Sequence, residues 1–295
     1  CVKPLLEVKN LRKSYKNGVL AVDGIDLQIH AGSIHALVGP NGAGKTTTIK
    51  CILRLISCDS GEIDFKGKTI TENDIIQRIS YVPEEKNLYE EFTVENMVNL
   101  SDRIISKFDL QRAFELVKSF KLPLAEKISS LSHGMKTQLY LSIAFAQNAD
   151  IYILDEPTWG LDPIAQKTVL QMMCDLVGNG KGVFYTSHVL REVEKIADTV
   201  AIMHRGKILY SGTLTEAKEK FKTVVVTGDF SQRADLSSFH FFRKGGNFLI
   251  LARDEEELSD ILKQFPTSDV YEMDLEDIFE ALVESETNRQ GGERK

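Results

Sequence analysis

The stretch GPNGAGKTT, Gly39–Thr47, decides how the rest of this chain is read. It fits GxxxxGK[ST], with a buried-strand pattern before it (IHALVG, 34–39) and helical spacing behind it (TTTIKCILRLI, 46–56). Glycines let the backbone wrap close to phosphate groups with N–H bonds pointing inward. The expected phosphate loop is therefore Gly39, Pro40, Asn41, Gly42, Ala43, Gly44, Lys45, Thr46 and Thr47. Lys45 reaches the β- and γ-phosphates, and Thr46 offers its hydroxyl to Mg²⁺. A Gly-rich turn can meet such a pattern by chance. The flanking strand and helix are what the mechanism needs, and they predict an α/β core that binds a nucleotide.

Upstream, LLEVKNLRKSYKNGVLAVDGIDLQIHAG alternates apolar and polar residues and predicts antiparallel strands, with tight turns at Gly18, Gly24 and Gly32. Downstream, TVENMVNLSDRIIS (93–106) and DLQRAFELVKSF (109–120) repeat apolar residues at three and four and predict a helical insert over about 88–147. DIYILDEP (150–157) is a continuous apolar run ending in two acids, as a buried parallel strand should be, and GVFYTSH (182–188) is another. TVAIMHRGKILYSG (199–212) reads as a hairpin turning at Arg205 and Gly206, followed by helix LTEAKEKF (214–221). A nucleotide-binding domain is thus expected over 1–221. Beyond it, 222–285 predicts a small α+β appendage with a hairpin turn at Gly245–Gly246, and 286–295 a polar disordered tail.

Length and composition agree with this plan. The chain has 295 residues with 42% apolar content, enough for a large domain plus a smaller one. Net charge is −7 and no long basic run appears, so no nucleic-acid partner is expected. Cys1, Cys51, Cys58 and Cys174 form no CxxC pair or metal spacing, which favours a reduced compartment; Cys51 and Cys58 read as small buried apolar residues. No segment approaches the ~18 apolar residues of a membrane span. The best, Leu139 to Leu154, is broken by Gln147, Asn148 and Asp150. No signal-peptide pattern opens the sequence, so membrane work is expected to run through a partner.

Two carboxylates carry the expected chemistry. Asp155, at a strand end, suits the Mg²⁺ shell, and the adjacent Glu156 suits orienting or deprotonating an attacking water. Two solvated acids capping a strand are the bland reading, which the phosphate loop and the following PTWGLD weaken. LSHGMKTQL (131–139) opens a second helix, with Ser132 and Gly134 at its entrance and an apolar stripe beyond. The free N–H groups and dipole of such an entrance suit an anion. An ordinary Ser-capped helix looks the same in sequence.

GPNGAGKTT, LSHGM, YILDEPTWGLDP and TSH, in this order and spacing, resemble the ATP-binding subunit of ABC transporters over about residues 5 to 220. LSHGM, the compact helical insert and the C-terminal LEDIFEALV are similar to the ABC-2-type branch, many of whose members serve drug, antibiotic, sodium or lipid export. The resemblance implies a phosphate-loop ATPase core with an antiparallel β subdomain and a helical subdomain. It implies ATP and Mg²⁺ as cofactors and a second ABC ATPase subunit, in a homodimer or heterodimer. An integral membrane permease would hold the chain peripherally on the cytoplasmic face of the cell membrane. Two ATP-binding domains would close head to tail, so that Ser132 and the Gly134 N–H cover a γ-phosphate held by the partner. Tyr15 matches the aromatic that stacks on adenine. His188 matches the histidine that contacts the γ-phosphate and steadies the water, giving a catalytic set of Lys45, Glu156 and His188. Asp162 matches the loop that joins the two sites across the dimer.

The chain departs from the family at two of these positions. Glu84, in YVPEE, stands where the family has Gln, and His133 where the signature usually has Gly. A carboxylate at 84 still ligates a hard cation but adds negative charge beside Asp155 and Glu156, so tuned coupling or slower turnover is expected. Trp159 either packs against the partner or fills local space. Two other functions stay open: a soluble ABC-family ATPase acting on ribosomes or DNA, and a regulatory ATP-binding module. Single-chain translation factors of this kind usually carry two cassettes and repair ATPases a long coiled coil, whereas this chain has one cassette and a short insert. Intact Lys45, Asp155, Glu156 and His188 argue against a vestigial ATPase.

Overall fold

The computed structural model describes residues 3–16, 18–226, 239–244 and 247–292. The chain forms two compact units, one of Cys1–Val189 with Ile196–Ile208, the other of Leu190–Lys195 with Leu209–Lys295. In chain order the first unit contains β1 (Leu6–Ser14), β2 (Leu20–Ile29), β3 (Ser33–Val38), α1 (Lys45–Ile52), β4 (Ser60–Phe65) and β5 (Lys68–Thr69). Next come α2 (Glu72–Arg78), β6 (Ile79–Val82), α3 (Val94–Ile104), α4 (Leu110–Ser119) and α5 (His133–Ala146). β7 (Ile151–Asp155), α6 (Pro163–Gly178), β8 (Gly182–Ser187) and β9 (Thr199–His204) follow; α7 (Leu190–Ile196), between β8 and β9 in the chain, belongs to the second unit but for its last residue. β10 (Lys207–Thr213) begins in the first unit and ends in the second.

Two sheets carry the first unit. One has the order β2-β1-β4-β5, with antiparallel neighbours; the other has the order β10-β9-β3-β8-β7-β6 and is parallel through β9, β3, β8, β7 and β6. All five residues of β7 and all six of β8 are buried, as expected of central parallel strands covered on both faces. The register pairs Val38 with Ser187 and Asp155 with Thr186. The phosphate loop after β3, the carboxylates after β7 and His188 after β8 therefore leave the sheet at one edge. Ligands of open α/β sheets bind there, outside the carboxyl ends of the strands.

Helix caps are local and legible. Thr93, Asp109 and Ser132 accept N–H bonds at the starts of α3, α4 and α5. On α3 the buried residues Val94, Met97, Val98 and Ser101 fall at helical spacing, and Val94, Met97 and Val98 form a separate apolar cluster with Val117, Ile128, Leu139 and Ile143. The apolar stripe expected on α5 is wider than a stripe. Nearly every residue from Thr137 to Ala146 is buried, because the helix is enclosed on all sides.

Gly24 is not a turn residue. It lies inside β2 at φ 67, where the β1–β2 register slips between Leu11 and Arg12, so its positive φ serves a bulge. α2 was not anticipated: it is seven residues long, with no fully buried residue and only Ile75 and Ile76 as apolar residues.

In the second unit, α8 (Leu214–Lys220) precedes β11 (Lys222–Val226), β12 (His240–Lys244) and β13 (Asn247–Ala252). α9 (Glu255–Gln264), β14 (Asp269–Glu272) and α10 (Leu275–Gly292) complete it. The sheet order is β12-β13-β11-β14, and Val224, Val226, Ile250, Ile261 and Phe265 fill its core. The α+β character matches expectation, but the boundary lies at Leu209, not at 222. Tyr210 stacks edge-on against Phe221 and donates to the Thr213 carbonyl, and Thr213 caps α8, which ties the end of β10 and α8 to this unit. The expected tail from 286 is also corrected, since α10 continues to Gly292. Extending a formed helix costs far less than nucleating one. Residues 293–295, the predicted turn at Gly245–Gly246 and Cys1 lie outside the described residues.

Candidate active site

Gly44 stands at φ 113 immediately before α1, and a Cβ added there would lie 2.3 Å from the Ala21 carbonyl oxygen. Only glycine makes this turn, and it aims the first N–H groups of α1 along the loop. The buried Lys45 Nζ donates to the carbonyls of Gly39 at 2.7 Å and Pro40 at 3.4 Å. Asn41 through Thr47 line a cavity of about 560 Å³ with Tyr15, Val19, Leu20, Ala21, Glu84, Glu156 and Arg205. Tyr15, just beyond β1, is well exposed and its hydroxyl lies 3.2 Å from Thr47 Oγ1.

The two carboxylates are held differently. Asp155 is fully buried: Oδ1 accepts from Thr186 Oγ1 at 2.6 Å, while Oδ2, also buried, has no hydrogen-bond partner. Glu156 takes a left-handed backbone, φ 49, which is uncommon for a residue with a side chain. Its N–H donates to the same Thr186 Oγ1 at 3.0 Å. One carboxylate oxygen lies 2.9 Å from His188 Nδ1 and the other 3.7 Å from Lys45 Nζ. Lys45, Glu156 and His188 are thus brought together as expected, with a difference: His188 approaches Glu156 through Nδ1, leaving Nε2 as the ring atom that can meet a phosphate.

Ser132 and Gly134 stand apart from this group, at the start of α5, and neither lines the cavity. Ser132 Oγ accepts the Met135 N–H at 3.2 Å, so it does serve as the helix cap. Asp162 caps α6, accepting from the N–H groups of Ile164 and Ala165. Trp159 makes a local contact. It stacks edge-on against His133 with ring centroids 4.8 Å apart and stays 52% exposed. A Cβ on Gly134 would come within 2.8 Å of the Gly160 carbonyl oxygen. The entrance of α5 and the 159–162 loop therefore form one packed surface, which His133 serves by giving Trp159 its ring.

A family model described as ABC transporter matches residues 22–159. The ABC transporter ATP-binding protein YtrB of Bacillus subtilis (strain 168) is 33% identical over 227 residues, spanning 76% of this chain and 77% of that protein. This chain belongs to the ABC transporter family. The Nod factor export ATP-binding protein I of Burkholderia lata is 31% identical over 277 residues, 88% of this chain and 89% of its own. A solved ATP-binding subunit of an ABC transporter superposes with TM-score 0.68 at 32% identity, covering 73% of this chain and 92% of the other. The ABC ATPase assignment makes ATP the ligand and hydrolysis the reaction.

The fit of Mg²⁺ to this ABC ATPase follows from its donors. The buried Asp155 Oδ2 has no hydrogen-bond partner and would suit a cation, and Thr46 and Glu84 would offer further oxygen ligands. Among the described residues no cluster of three His, Cys, Asp or Glu could hold a metal by itself. Few protein ligands plus substrate phosphates is how Mg²⁺ is usually held.

Sequence reading missed three residues around the ABC site. Thr186 stood in the TSH motif but was passed over for His188. Lys86 follows Glu84 by two and donates to the carbonyls of Pro83 and, at 3.0 Å, Glu84. Burial pulls its ammonium down to about 8, against the carboxylates of Asp155, Glu84 and Glu156, which hold it up. Arg205 read only as a turn residue, yet it lines the cavity. Of the cysteines, Cys51 is buried in the core with Cys58 packed against it, and Cys51, Cys58 and Cys174 are all free thiols.

Proposed function

We propose that this ABC ATPase is the motor subunit of a membrane exporter, in which two copies, or one copy and a homologue, close head to tail around two MgATP. The observation that carries this reading is the separation of the site into halves. Lys45, Thr46 and Glu156 line one cavity, with His188 against Glu156 and Asp155 joined to it through Thr186, while Ser132 and Gly134, at the start of α5, do not line it. In the closed pair the α5 entrance of each copy covers the γ-phosphate held by the other, and Asp162 links the two sites. Tyr15 stacks on adenine, and Lys45 binds the β- and γ-phosphates. Thr46, Asp155 and Glu84 would hold Mg²⁺, which would supply positive charge to the phosphates. Glu156 orients and deprotonates the water, and His188 fixes the Glu156 carboxylate.

The permease docks beside Glu84–Tyr89. The supporting feature is an apolar cavity of about 200 Å³ lined by Tyr81, Leu88, Met97, Ile104 and Ile143, with Tyr89 and Ile104 largely exposed at the surface. Among the described residues no helix is long and apolar enough to cross a membrane; in this reading the cargo path lies in the permease. Export is favoured by the Nod factor relative, which is named for export. Closure drives transport only through the difference in ATP affinity between open and closed pairs. The test is Glu156→Gln: turnover should vanish while MgATP traps a dimer in sedimentation. A variant that stays monomeric at saturating MgATP overturns the sandwich.

A further inference from the structure

The β9–β10 turn is built against its own stability. Its two residues, Arg205 and Gly206, have φ values of 46 and 83. That is the pattern of a type I′ hairpin turn, whose first position favours Asn, Asp or Gly. An arginine there is a poor turn former, since its Cβ crowds the backbone at positive φ. The turn is also fastened to the phosphate loop. Gly206 N–H donates to the Ala43 carbonyl at 2.8 Å, and the Gly206 carbonyl accepts the Asp23 N–H at 2.8 Å. Position 205 is therefore fixed relative to the middle of the loop whose N–H groups cradle the α- and β-phosphates.

Charge points the same way. The cavity that Arg205 lines also exposes Glu84 and Glu156, and Lys45, its buried cation, already lies 3.7 Å from Glu156. A nucleotide brings further negative charge into this acidic setting. Guanidinium presents a planar fork that matches phosphate oxygens and is always charged.

We propose that Arg205 is a second phosphate-binding cation of the ATP cavity, acting on the α/β portion of the phosphate chain from the β9–β10 turn. This rests on the reading of the cavity as the ATP site, and Lys45→Ala tests that reading separately. The decisive variant is Arg205→Asn, because Asn suits the turn. ATP and ADP binding are measured by equilibrium titration in EDTA, with thermal melting in parallel. The expected result is a melting temperature unchanged or raised, with ATP and ADP affinities lowered by the same factor, about tenfold; Arg205→Lys should fall between. Wild-type affinity in Arg205→Asn alongside lost binding in Lys45→Ala overturns the role of Arg205 and leaves the cavity assignment intact. Wild-type binding in both variants overturns the cavity assignment itself. An affinity loss accompanied by a lowered melting temperature makes Arg205 a turn residue only and overturns the proposal.

Discussion

The Thr186 hydroxyl donates to Asp155 Oδ1 across 2.6 Å. Thr186 Oγ1 also accepts the Glu156 N–H at 3.0 Å, so one side chain on β8 holds both acids at the end of β7. Glu156 leaves the strand with a left-handed backbone, and this bond restrains it there. Asp155 keeps its other oxygen unpaired, aimed by the first. The two acids are positioned by a neutral neighbour that does not itself line the cavity.

Thr186→Val removes that hydroxyl while preserving shape. A buried carboxylate and a buried N–H each lose a partner, and the expected destabilisation is about 1–3 kcal/mol. Turnover should fall tenfold or more with ATP affinity little changed, because the cradle and Lys45 are untouched. Thr186→Ser should restore most of both. Steady-state kinetics with urea titration decides it; full-speed Thr186→Val would show that Thr186 does not position the acids.

Glu84 and Lys86 should act as a unit. Glu84 adds a negative charge near Asp155 and Glu156, and Lys86 answers it while tying down the 83–84 carbonyls. Lys86→Met should weaken Mg²⁺-free ATP binding several-fold, and Glu84→Gln in that background should recover much of the loss. Wild-type binding should weaken in the same direction as pH rises through about 8, where the Lys86 ammonium loses its proton, and this slope should vanish in Lys86→Met. Strictly additive single effects in a double-mutant cycle would separate the two residues.

What could be read without coordinates follows from how local each feature is. Gly39–Thr47 was legible because the chemistry needs contiguous residues, and Asp155 because a buried strand announces its own end. Gly24 was misread because a bulge and a turn both ask glycine for positive φ, and nothing nearby in sequence distinguishes them. α2 is two turns long with a single Ile pair, too short for a periodic apolar signal. The Thr186 bond and the His133–Trp159 contact join residues far apart in sequence, and each depends on packing and register set elsewhere in the chain. Chain-level patterns find the parts that touch phosphate; the parts that hold them in place are non-local.

His35 makes the unit that carries the phosphate loop sensitive to acid. It lies on β3 and is 5% exposed. Its Nε2 accepts the His30 N–H at 2.8 Å and its Nδ1 lies 2.6 Å from Thr199 Oγ1 on β9. Burial, helped by the nearby His30 charge, lowers its pKa from 6.5 to about 4. In the unfolded chain the ring takes up a proton near pH 6.5; in the folded protein it resists until about pH 4. Stability is therefore unaffected by this group above 6.5, falls as pH drops from 6.5 to 4, and is constant below. The slope is about 1.4 kcal/mol per pH unit, or about 2 kcal/mol between pH 6.5 and 5. His35→Gln should be less stable at pH 7, since packing and hydrogen bonds are disturbed, yet lose that much less than wild type on going to pH 5. Urea unfolding of both proteins at the two pH values measures the difference, which cancels the carboxylates they share. Equal losses in the two proteins would mean that His35 is protonated within the fold, and that the β3–β9 junction accepts the charge.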